Sequence, residues 1–399
     1  MDETTATLDP PTAPFDALDR QLRENGPGAA IDALIAHLDA TRQYRALLDA
    51  LLLKARHDLH LPLVASGTLG DLPEPTRTQF EDRYVEAIRT VGGKLLATGD
   101  ITAAWPYFRA IAEKDLIASA IDEFQPAEGD DRVGAIIDVA FNQGANPRRG
   151  YELILEHYGA CSAITAFEHL PPDENIRQFC ANRLIRHLHA QLTHSLRAEI
   201  TRRGQPLPPE GTSIPDLMAG RDWLFFDDAY HIDVSHLGAV VRIAPLVSDP
   251  ETLRLAVELA EYGRNLSDRH KYDCDPPFSD LYGDHAIYLR GLLNDDAERA
   301  IAHFVAKLPP ADPDGDGDTL AAQILIRLLT RLDRHDEAID VAAAHLRGVP
   351  ESALICPTLS QLCHQAGQAA RLADLAKRDG DLVHYTAAIL QVNQPPAGS

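Results

Sequence analysis

The chain of 399 residues is 45% hydrophobic and 24% charged, ordinary values for a globular protein. Its 60 acidic against 37 basic residues leave a net charge of −23, a balance that repels nucleic-acid backbones and anionic lipid, and the short basic runs "RNLSDRHK" and "ITRRG" are too interrupted to reverse it. No run approaches the ~18 apolar residues of a membrane-spanning helix, and the five scattered cysteines contain no C-x-x-C pair, which excludes a disulfide framework and a cysteine zinc site and suits a reducing cytoplasm.

Residues 1–14, from "MDETTATLDPPTAPFD", read as an acidic Pro/Thr-rich tail with no basic start or apolar core, so no secretory signal is expected. From residue 15 to 127 the pattern is helical. Ile31, Leu34, Ile35 and Leu38 recur at i, i+3, i+4 and i+7, and Leu47, Leu48, Leu51 and Leu52 follow after a break. "LGDLPEPTRTQ" then separates this first hairpin from the next. Residues 128–203 hold three amphipathic segments, "VGAIIDVAFNQ", "RGYELILEHYGACSAITAFEHL" and "NIRQFCANRLIRHLHAQLTHSLRAEITRR". In "RRGQPLPPEGTSIPD" four prolines and two glycines mark the strongest boundary, a linker over residues 204–220. Helical patterning resumes over residues 221–390, and residues 391–399 read as a frayed tail. "DWLFFDD" and "LHLPLVASG" are the only stretches with extended character, and neither has a plausible strand partner.

The clearest internal unit is "TLAAQILIRLLTRLDRHDEAIDVAAAHLRGVP", where a helix to Leu332, a tight turn and a second helix from "HDEAIDVAAAHL" follow one another. With Leu325, Ala338 and Pro350 at its large, small and terminating positions, this unit resembles a tetratricopeptide repeat, although Ile326 and His345 depart from the family's small residues. "LLATGDITAAWPYFRAI" resembles it too, with Gly99–Asp100 at the turn, Ala104 at the small position and Phe108 at the aromatic one. Aligning Ala256, Ala300 and Ala338 gives separations of 44 and 38 residues, longer than the family's ~34. A last unit, "CPTLSQLCHQAGQAARLADLAKR", turns at Gly367. The resemblance covers about half the chain. It implies an all-α fold, a right-handed superhelix of antiparallel helix pairs, and the work of an interaction scaffold that holds a partner peptide or domain in a concave groove. Placed on first helices by that resemblance, Arg242, His285, Leu289 and Gln323 are the expected groove residues. Trp223, Phe225, Phe226 and Tyr230 form the densest aromatic cluster, either a plug at the linker or a recognition patch to which Trp223 and Tyr230 contribute.

One stretch raises chemistry. "DDAYHIDVSH", Asp227 to His236, places two histidines and three aspartates ahead of the helical "LGAVVRIAPLV". Asp233 or Ser235 stands where an N-cap belongs, and His236, in a positive first turn, is then expected neutral. The alternative is a metal centre. "DLYGDHAIYLRGLL" also opens on an Asp–His pair, so His231, Asp233, His236 and His285 could converge across neighbouring first helices on zinc or iron and serve a metal-dependent enzyme. No cofactor is expected otherwise. "ADPDGDGDTLAAQ" sets Asp312, Asp314, Asp316, Gly317 and Asp318 at EF-hand spacing, but Gln323 stands where a bidentate glutamate is needed, so an Asp/Gly turn capping the next helix fits better. His187 and His194, and Glu156, His157 and Cys161, read as polar-face or core residues, and Cys356 and Cys363 at i, i+7 as one buried stripe. No nucleophile elbow, P-loop or dinucleotide fingerprint occurs.

Overall fold

A computed structural model describes residues 13–64, 70, 72–272, 274–310 and 318–393. It is helical throughout, with no β-strand among the described residues. The chain divides into two compact units, residues 1–154 and 155–399.

In the first unit, α1 (Ala13–Ala40), α2 (Tyr44–Asp58), α3 (Thr76–Ala97), α4 (Ile101–Ala110) and α5 (Asp115–Glu123) pack each on the next. α6 (Val133–Ile137) runs into a π-helical turn at Asp138–Asn142, and α7 (Pro147–Glu168) contains the boundary between the units. The α3–α4 hairpin shows how sequence builds such a pair. Asp100 caps α4 by accepting the Ala103 amide at 3.0 Å, which satisfies a donor the helix itself leaves open. Ala104 and Phe108 on α4 are fully buried. Gly92 on α3 makes room for that ring, since a Cβ there would lie 2.8 Å from Phe108 Cε2. The turn residue Gly99 holds φ +79°, a left-handed value that glycine adopts without steric cost.

The second unit takes in the end of α7 and then α8 (Glu174–Arg202), whose stripe Cys180, Leu184, Leu188, Leu192, Leu196 and Ile200 is fully buried. There follow α9 (Ile214–Met218), α10 (Val234–Ile243), α11 (Pro250–Arg264), α12 (Leu281–Leu292), α13 (Ala297–Val305), α14 (Leu320–Arg331), α15 (His335–His345), α16 (Leu359–Gln365), α17 (Ala369–Asp379) and α18 (Leu382–Asn393). From α10 onward, each helix packs against its successor in sequence. The aligned alanines Ala256, Ala300 and Ala338 are all fully buried, Ala300 directly against Gly291 of α12. Phe278, Tyr288 and Phe304 interlock with centroids 5.4–5.7 Å apart at the α12–α13 pair.

Three local expectations meet a different structure. "DWLFFDD" is not extended but a 3₁₀ turn, Asp222–Asp228, broken at Phe226–Asp227. Residues 59–64 of "LHLPLVASG" are irregular chain after α2, and its last three residues lie outside the described ones. Within the proline-rich segment 204–220, α9 buries Ile214 and Leu217 completely and packs on α8 and α11. Glu258 of α11 holds it there, accepting the Ile214 amide at 2.8 Å and facing His189 Nε2 of α8 at 2.9 Å.

Candidate functional site

In "DDAYHIDVSH" the Asp233, Ser235, Asp228 and His231 polar groups make local contacts. Asp233 caps α10: its Oδ1 accepts the Ser235 amide at 2.8 Å, the Ser235 hydroxyl at 2.5 Å and the His236 amide at 3.3 Å. The Ser235 hydroxyl, with those amides, holds the Asp233 carboxyl below its usual range. His231 lies in the preceding loop, where the buried Tyr262 hydroxyl accepts its backbone amide at 2.8 Å and meets its Nδ1 at 3.1 Å. Burial lowers the His231 pKa and raises that of Tyr262, so both stay neutral near pH 7.

His285 is elsewhere in kind. It is 3% exposed, stacks on Phe278 with centroids 4.0 Å apart, and donates Nδ1–H to the Leu281 carbonyl at 2.6 Å. The structure therefore does not gather His231, Asp233, His236 and His285 into a ligand set. Among the described residues no three His, Cys, Asp or Glu side chains are placed to share an ion. The partners of Asp284 lie in α13 and just after it: its buried carboxylate meets His303 Nε2 at 2.7 Å and Lys307 Nζ at 2.6 Å. Spacing along α12 alone could not reveal this, because both partners stand some twenty residues further along the chain.

The expected groove residues separate in the same way. Arg242 is exposed, but Leu289 is fully buried core and Gln323 is 5% exposed. Gln323 Oε1 accepts the Ile355 amide at 2.7 Å and Nε2 donates to Thr319 Oγ1 at 2.9 Å. Gln323 thus fixes the loop ahead of α16 and does not face a partner. The stripe it belongs to continues at Arg327, Thr330 and Arg331, i+4, i+7 and i+8 along α14. Those three line an open cleft of about 810 Å³, with Arg177 and Gln178 of α8, Pro245 and Leu246 after α10, and the loop Leu354–Pro357. Cys356 lines this cleft from the loop before α16 and, partly buried, packs against the core cluster that contains Cys363 of α16.

The aromatic cluster divides between core and surface. Leu224 is buried and Phe225 packs on Tyr262 at 5.5 Å, whereas Phe226 is 64% and Tyr230 54% exposed. Trp223 is half-buried beneath the Arg203 guanidinium, 5.5 Å from its ring. The turn carrying them is pinned: His270 Nε2 donates to the Asp228 carbonyl at 2.9 Å, Arg269 pairs with the Asp228 carboxylate at 3.1 Å, and Tyr230 meets the His270 ring edge-on at 4.9 Å.

The remaining candidates are on surfaces. His187, His194, Glu156, His157 and Cys161 are all exposed. Asp312, Asp314, Asp316 and Gly317 lie outside the described residues, while Asp318 accepts the Leu320 amide at 2.9 Å at the start of α14. Compared with known proteins, the chain matches no protein-family model and no curated protein.

Proposed function

We propose that the chain is a protein-interaction scaffold of the tetratricopeptide-like class, its second unit a right-handed superhelix of antiparallel helix pairs. The buried alanines and, from α10 onward, the packing of each helix on its successor support the repeat reading. One observation carries the binding reading: two large aromatic side chains, Phe226 and Tyr230, stand more than half exposed on a turn whose backbone is held by side-chain bonds. Rigid exposed aromatics cost little entropy when covered, and such residues dominate interface energetics. Asp222 and Asp227 are exposed beside them. With the net charge of −23, this favours a partner segment combining basic and apolar side chains.

The test compares proteins retained by the immobilised wild-type chain and by a Phe226→Ser/Tyr230→Ser variant, followed by affinities with the purified partner. Loss of about 2 kcal/mol, some thirtyfold in Kd, with unchanged unfolding is the expected result. A partner held equally by both would remove the patch from the interface, and no saturable partner would remove the scaffold reading.

A further inference from the structure

The cleft beside α14 has the opposite polarity to the rest of the molecule. Its walls present three guanidiniums, Arg177, Arg327 and Arg331, against one carboxylate, Glu174. Several other arginines of the second unit find acids: Arg186 meets Asp249 and Glu251, Arg334 meets Glu298 and Glu337, and Arg371 meets Asp336 and Asp340, whereas Arg197 and Arg221 bond backbone carbonyls. Among the described residues no carboxylate lies within ion-pair distance of the three cleft arginines. Clustering like charges is unfavourable, and a chain with 60 acidic residues has ample means to neutralise them.

The three arginines have distinct roles. Arg331 is structural: its guanidinium donates to the Pro245 carbonyl at 2.9 Å and the Val247 carbonyl at 2.7 Å, tying α14 to the end of α10. Burial lowers its pKa, and the neighbouring Arg327 charge adds to this while Glu174 opposes it. Arg177 is half-buried with its guanidinium 4.9 Å from the Phe167 ring. Arg327 is half-buried with no hydrogen-bond acceptor among the described residues. The forks of Arg177 and Arg327 therefore remain for a ligand. The rest of the lining mixes the polar Gln178, Ser248, Thr330 and Gln361 with the apolar Leu170, Leu246, Leu354 and half-exposed Ile355. Gln323 holds that last wall in place through the Ile355 amide.

A volume of about 810 Å³ lies in the usual range of small-molecule sites, roughly 300–1,000 Å³. Guanidinium forks match the planar or tetrahedral oxygens of carboxylates and phosphates. We propose that this cleft binds a small amphiphilic oxyanion, its carboxylate or phosphate head taken by Arg177 and Arg327 and its apolar body laid on Leu246, Leu354 and Ile355. The site is separate from the aromatic patch and independent of the scaffold reading.

Calorimetric titration of the full chain with octanoate and with octyl phosphate tests it, with octanol as the uncharged probe. Saturable binding of at least one anion, weakened about tenfold or more in Arg327→Gln and in Arg177→Gln, is expected, since a charge-assisted hydrogen bond contributes roughly 1.5–3 kcal/mol. The stronger of the two anions identifies the head group. Octanol binding as tightly as either anion, unchanged affinity in both variants, or no saturation up to about 10 mM would each overturn the proposal.

Discussion

At the scale of single residues, His285 shows how burial converts a titratable group into a packing element. Burial drives its pKa down to about 4, against the opposing effects of the Leu281 carbonyl and the Asp284 charge. An unfolded histidine takes its proton near pH 6.5, and this one does so only near pH 4. Between those values the unfolded chain binds more protons, so stability is complete above about pH 6.5 and falls as pH drops toward 4, by about 3 kcal/mol from this residue. Urea unfolding from pH 7 to pH 4 measures the slope, and His285→Gln, which retains a donor for Leu281, should flatten it. An unaltered slope in that variant would assign the effect to other groups. Asp284, the neighbour, is the buried centre of contacts to His303, Lys307 and the Asp280 amide. Asp284→Ala leaves the Lys307 charge without its partner and should cost about 3 kcal/mol in the same assay. A loss below about 1 kcal/mol would mean that the pair contributes nothing net.

At the scale of elements, close approach of helices is set by small residues at the contact. A Cβ on Gly291 of α12 would stand 2.6 Å from the Ala300 Cβ of α13. Gly291→Ala should therefore destabilise by about 1–3 kcal/mol despite the better helix propensity of alanine, as read from its urea midpoint. A neutral or stabilising result would show that the α12–α13 pair can separate without loss. This level was the most legible in sequence. The unit from Thr319 to Pro350 forms α14 and α15 with the expected turn between them, because apolar spacing within a helix and the turn after Leu332 are local properties. The Gly99–Asp100 turn and the buried Ala104 and Phe108 were legible for the same reason. "DWLFFDD" was not: its aromatics suggested extension, but Phe225 turns inward to Tyr262, a contact made across more than thirty residues.

At the scale of the whole molecule, the net charge of −23 makes the folded state self-repelling, and the many surface ion pairs offset this only locally. Added sodium chloride, from about 20 to 200 mM, shortens the Debye length from roughly 20 Å to below 10 Å. The thermal midpoint should rise by a few degrees over that interval, and a fall would show that attractive pairs outweigh the general repulsion. The amino-acid sequence by itself determined that this protein is built from helices, where most of them turn, and that its surface is strongly acidic, because periodicity, capping chemistry and formal charge are properties of neighbouring residues and of sums. Only the tertiary structure decided which polar groups meet. It gave His231, Asp233 and His285 separate partners, buried Gln323 against a loop, joined Asp284 to His303 and Lys307, and left three arginines around one cleft. Such meetings depend on the rotation and register of helices far apart in the chain, to which no single helical pattern has access.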